Sequence, residues 1–107
     1  MNMDWYSMSD PAIITELGKR LKEYRIDKNY TQAELAEKAG ISVLSVQNLE
    51  KGSPVSLSTL IPLFRQLNLL GNLDHLIPEP PISPIKILKF KGKIRIRVKN
   101  PVRNQKL

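Results

Sequence analysis

Two short helix signatures on either side of one glycine constrain this chain more than any other feature. They lie in TQAELAEKAGISVLSVQNLEKG, residues 31–52. Thr31 and Glu34 have the spacing of a capping box, in which each side chain accepts the other residue's backbone N–H. Leu35, Ala36 and Ala39 then face inward, and Gly40 supplies the left-handed turn that ends the helix. Ser42 is the expected N-cap of the next helix. Ile41 before it can staple onto Val46 at the fourth helical position. Val46 and Leu49 form the buried stripe, and Gly52 ends the element. Two capped helices across a glycine turn make a helix-turn-helix unit.

The flanking sequence supplies a brace and a closure. Asp10-Pro11 reads as an N-cap followed by proline at the first helical position. Ile14, Leu17, Leu21 and Tyr24 share one face of a first helix, expected from about Pro11 to Asp27 and broken near Lys28-Asn29. A fourth helix is expected from Ser56 or Ser58 to about Asn68, with Leu60, Leu63, Phe64 and Leu67 as its core set. Pro62 crowds the preceding turn, so that helix either starts late or bends. LLGNLDHLI reads as a short fifth helix closed by Pro78. The expected organisation is an N-terminal arm over 1–10, an all-α five-helix domain over 11–78, a Pro-rich linker over 79–85 and a basic tail over 86–107.

Charge separates the tail from the rest. The 107 residues carry a net charge of +7. Residues 1–82 are slightly acidic, and the excess of positive charge lies beyond them, where no Asp or Glu occurs. From Leu88 to Lys99 the tail alternates: Lys89, Lys91, Lys93, Arg95, Arg97 and Lys99 are cationic, while Leu88, Phe90, Ile94, Ile96 and Val98 are apolar. Period-two alternation signals a half-buried strand. Pairing with the same strand of a second subunit would cover its apolar side and align the cations along DNA backbone. A tail ordered only on binding DNA or a toxin, a cationic amphipathic strand at a membrane, or a tail that is merely solvated fits the same residues. Cysteine is absent, which excludes disulfides and thiolate metal sites. No apolar run is long enough to span a bilayer, and MNMDWYSMSD has neither the positive start nor the apolar stretch of a signal peptide. The expectation is a protein of the bacterial cytoplasm, associated with the nucleoid and not with a membrane.

The third helix has two faces at 100° per residue. Val46 and Leu49 point one way; Leu44, Gln47, Asn48 and Lys51 point the other, with Val43 on the border. Amide side chains bond adenine edges in the major groove, lysine meets phosphate or guanine, and leucine packs on a thymine methyl. No acid on this face would repel a duplex. A polar face that only meets water is the alternative for an isolated amphipathic helix.

Thr31-Gln32, Glu34-Leu35-Ala36, Ala39-Gly40-Ile41-Ser42 and Leu49-Glu50-Lys51-Gly52 resemble the helix-turn-helix of the Xre/Cro, lambda-repressor-like regulators, over roughly residues 13–70. The resemblance implies five helices, with the third in the major groove of double-stranded DNA. It implies base contacts from Val43, Leu44, Gln47 and Asn48, and phosphate contacts from Gln32, Ser42, Ser45, Lys51 and Ser53. It also implies a structural ion pair between Arg25 and Glu50, and a repressor that binds a palindromic operator as a homodimer. Family members often carry polar residues where this chain has Val43 and Leu44, so reliance on thymine methyls or DNA shape is expected there. LDHLIPEPPISPI followed by GKIRIRV resembles a subgroup of HipB-like antitoxins that act beside HipA-like kinase toxins. That gives the alternative reading, an antitoxin that autoregulates its operon. An adaptor for RNA or the transcription machinery is a further one.

The apolar density of Leu69, Leu70, Leu73, Leu76 and Ile77 exceeds what capping a core requires, and the surplus suits a dimer seam where Trp5 and Tyr6 also pack. Enzymatic chemistry is not expected. His75 is the sole histidine, no second ligand accompanies it, and no nucleophile has a base beside it. No cofactor or metal is implied.

Overall fold

The computed structural model describes residues 3–82. The alternating tail, with Lys89, Lys91, Lys93, Arg95 and Arg97, lies outside the described residues. The described residues are all-α: α1 (Asp10–Asp27), α2 (Gln32–Ala39), α3 (Val43–Lys51), α4 (Leu57–Gln66) and α5 (Leu73–Leu76), with 3-10 turns at Trp5–Ser7 and Leu70–Asn72. They build one compact unit over Met1–Leu76; a second begins at Ile77, and its described residues are exposed and have no helix or strand.

Local chemistry accounts for the helix ends. The Thr31 hydroxyl accepts from Glu34 N (3.0 Å) and the Glu34 carboxylate accepts from Thr31 N (2.8 Å), a complete capping box. Ser42 caps α3 by accepting from Ser45 N. At α1 the cap is Ser9, which accepts from Ala12 N, and not Asp10, which is already helical. Ser9 and Asp10 are both competent caps, and proline is tolerated on either side of that offset, so the sequence leaves the register open by one residue.

Helices α1 to α4 all stop alike. Asn29, Gly40, Gly52 and Asn68 each take a left-handed φ of 59° to 90°. The next backbone N–H then reaches back: Tyr30 to Arg25, Ile41 to Ala36, Ser53 to Asn48 and Leu69 to Phe64. This Schellman closure satisfies carbonyls that a helix end leaves orphaned, and glycine or asparagine adopts the required φ with the least strain. Pro62 stays inside α4. It stands in the second turn, where it forfeits one bond to the Ser58 carbonyl and does not stop the helix. The fifth helix is shorter than its apolar pattern suggested, a 3-10 turn leading into a single α-turn.

The core comprises Leu21, Leu35, Ala36, Val46, Leu49, Leu63 and Leu67, with Tyr30, Ile41, Leu60, Phe64 and Leu69 packed around it. α3 lies against α1 and α2, and α4 against α2. Val46 and Leu63 are fully buried. A buried leucine cut to alanine costs about 2–5 kcal/mol, so these contacts carry much of the stability. The inward face of α1 is Gly18, Leu21 and Arg25. Leu17 and Tyr24, which share a face with Leu21 by spacing, are 46% and 48% exposed. With Leu60, Phe64, Leu73 and Leu76 they edge a half-open apolar groove of about 380 Å³.

Candidate nucleic-acid interface

α3 is held from behind at three points. A Cβ on Gly18 would overlap the Leu49 carbonyl oxygen, so the α1 and α3 backbones meet directly there. Gly52 combines φ +90° with Thr15 Oγ1 2.7 Å from where its Cβ would stand. The third point is a polar junction. Arg25 Nε donates to Glu50 Oε2 (2.6 Å) and Arg25 Nη2 to Glu50 Oε1 (3.0 Å). Arg25 Nη1 donates to the Tyr30 carbonyl (2.7 Å), and Gln32 Nε2 to Glu50 Oε1 (2.9 Å). The Arg25 and Glu50 side chains are only 10% and 5% exposed. A planar guanidinium against a carboxylate satisfies both charges with fixed geometry, which buried ions require.

The opposite side of α3 is open. Val43 and Leu44 are exposed, as is Lys51; Gln47 and Asn48 are half-buried. None of the hydrogen bonds among the described residues uses the side chain of Gln47, Asn48 or Lys51. Amides left without a partner at a surface are available to a ligand with matching edges. The face holds Lys51 and no acid, and the positive end of the α3 dipole lies at its start.

The expected phosphate contacts are more dispersed. Ser42 and Ser45 share a hydroxyl–hydroxyl bond of 2.8 Å beside the α3 cap. Ser53 is half-buried at the edge of the apolar groove, its N–H bound to the Asn48 carbonyl. Gln32 stands at the first position of α2, but its amide already donates to Glu50. Sequence reasoning misses that bond because it joins residues 18 apart through the angle between two helices. The only available signal is a glutamine following the capping threonine.

The leucine-rich stretch is split. Leu69 packs on the core, Leu70 and Leu73 are half-buried, and Leu76 is exposed; Ile77, also exposed, belongs to the second unit. Trp5 lies under the Arg20 guanidinium, 4.9 Å from the ring centre, and Met3 Sδ accepts from Arg20 Nη2 at 3.1 Å. Tyr6 is fully exposed, contrary to the expectation that it packs. Its neighbour Trp5 packs under Arg20, and a short 3-10 turn presents adjacent side chains in different directions. Among the described residues no group of His, Cys, Asp and Glu could hold a metal ion, and no helix is long and apolar enough to cross a membrane.

Comparison with known proteins agrees with this geometry. Residues 21–70 match the family model described as Helix-turn-helix. A Pyrococcus furiosus protein named as an HTH-type transcriptional regulatory protein is 37% identical over 90 residues, covering 82% of this chain and 25% of its own length. A Pyrococcus abyssi protein of the same description is 38% identical over 74 residues, covering 69% of this chain and 21% of its own length. The chain thus spans about a quarter of the length of the curated relatives it matches. The capping box, the Gly40 turn and the Gly52 stop all fall inside the matched segment, and residues 21–70 form a domain of the Xre-like helix-turn-helix family.

Proposed function

We propose that this chain is a DNA-binding transcriptional regulator that inserts α3 into the major groove of duplex DNA. The observation that carries this reading is the contrast across α3. Its back is fixed by Gly18, Gly52 and the Glu50 junction, while Gln47, Asn48 and Lys51 in front remain unengaged among the described residues. In this reading Asn48 and Gln47 bond base edges, Leu44 and Val43 pack on thymine methyls, and Lys51 with the Ser42 and Ser45 hydroxyls meets phosphate. Gln32 reaches phosphate with its second amide hydrogen. The protein acts as a repressor, and the transcriptional regulators it resembles in Pyrococcus support the regulatory role.

The half-open groove at Leu17, Tyr24, Leu73 and Leu76 supports a second copy as partner, which places two α3 helices on the half-sites of a palindrome. The cationic tail adds phosphate contacts. Each phosphate neutralised steepens the dependence of log K on log salt by about 0.9.

Selection of bound duplexes from a random pool by the full chain tests the reading. The expected result is a palindromic consensus, with a salt slope that flattens when residues 83–107 are deleted. Recovery of no consensus would overturn sequence-specific recognition. An unchanged slope would remove the tail from the interface.

A further inference from the structure

We propose that Gln32 is a positioning residue that sets the angle of the recognition helix by acting as a strut to Glu50. This rests on the DNA-binding reading for its functional consequence, but its structural half stands without it.

α2 and α3 are joined at one end by the covalent turn through Gly40, Ile41 and Ser42. A single joint leaves the angle between two rods to side-chain packing. At the other end, the first residue of α2 and the penultimate residue of α3 are tied by Gln32 Nε2 donating to Glu50 Oε1 at 2.9 Å. Two ties at opposite ends of a helix pair close the angle.

The acceptor is also well suited to the task. A carboxylate offers about four lone-pair sites. Arg25 takes one on each oxygen, and Gln32 takes a second on Oε1. The Glu50 side chain is 5% exposed, so water does not readily replace a missing donor. Arg25 is engaged from α1, whereas Gln32 is engaged from α2. The same carboxylate atom therefore references the recognition helix to both of its supports. Motion about the Gly40 turn displaces the far end of α3 most, so Asn48 and Lys51 depend on the strut more than Val43 and Leu44 do.

Two substitutions separate this role from that of a phosphate contact. Gln32→Leu keeps the bulk and removes the donor. Gln32→Glu keeps the shape and sets a second carboxylate against Glu50. At the first position of a helix an acid is ordinarily stabilising. If Gln32 merely occupied that position, Gln32→Glu would therefore raise the melting temperature. A strut predicts the opposite sign.

The experiment uses amide hydrogen exchange on the full chain without DNA, followed by binding to duplexes selected by the wild-type chain. The strut predicts that Gln32→Leu speeds exchange of the Asn48–Lys51 amides about tenfold or more, consistent with losing a hydrogen bond to a charged group. Exchange in the middle of α2 stays unchanged, and Gln32→Glu has the larger effect and melts lower than wild type. On DNA, base discrimination is lost mainly at the positions met by Asn48 and little at those met by Leu44. Unchanged or uniformly raised exchange overturns the strut, as does a higher melting temperature for Gln32→Glu. Uniform weakening on DNA with unaltered exchange assigns Gln32 to phosphate alone and also overturns it. If the wild-type chain selects no duplex, the DNA-binding reading fails, while the exchange result still decides the strut.

Discussion

The two sides of α3 obey different rules. On the inner side Val46 and Leu49 are buried, Glu50 has three donors, and Gly18 lets the backbone of α1 touch the backbone of α3. On the outer side Leu44 and Lys51 are exposed, and two amides have no partner among the described residues. One helix of nine residues thus uses one side to be held and leaves the other open. The polar groups that hold α3 have completed hydrogen bonds, whereas the outer amides have none among the described residues.

Changes on the inner side should break the fold and so collapse the contrast. The largest effect is expected for Glu50→Ala, which leaves Arg25 buried without its carboxylate. Breaking one partner of a buried pair costs about 3–5 kcal/mol, to be read from the urea midpoint at constant m. A loss below about 1 kcal/mol would show the pair to be solvated, as exposed pairs are.

Gly18→Ala comes next. Its Cβ meets the Leu49 carbonyl, so α1 and α3 must separate, at about 1–3 kcal/mol by the usual cost of overpacking. Retained stability would mean that the two backbones have room for a methyl group between them. Thr31→Ala should then cost about 1 kcal/mol by removing half of the capping box. Thermal unfolding measures both.

These effects also mark what is legible in the sequence. The capping box, the Ser42 cap, the Gly40 and Gly52 stops and the Val46/Leu49 stripe depend on near neighbours in the chain. Such rules are local, and they locate the helix-turn-helix. Gly18 cannot be read that way. Inside a helix a glycine looks only like a weak helix former, and its purpose appears once another backbone lies against it. Gln32 is legible as a helix-start residue but not as a partner of Glu50, since that bond depends on an inter-helix angle. The α1 stripe misleads for a different reason. Spacing shows that Leu17 and Tyr24 share an apolar face, but not that anything covers it. Tyr6 repeats the lesson, because aromatic character alone does not supply a surface to pack on.

The smallest effect on stability is expected for the outer face, and it sharpens the comparison most. Replacing Gln47 and Asn48 together with alanine should shift stability by no more than about 0.5 kcal/mol, because neither half-buried side chain makes a hydrogen bond among the described residues. The same double variant should lose about 1–3 kcal/mol of discrimination at each base pair it no longer reads.

The most direct measurement is therefore competition binding of this double variant against duplexes selected by the wild-type chain, alongside its unfolding curve. A native unfolding midpoint together with relaxed base preference at the positions facing α3 is the predicted result. Full preference retained by a folded Gln47→Ala, Asn48→Ala chain would contradict it, because the groove would then be read by some other surface.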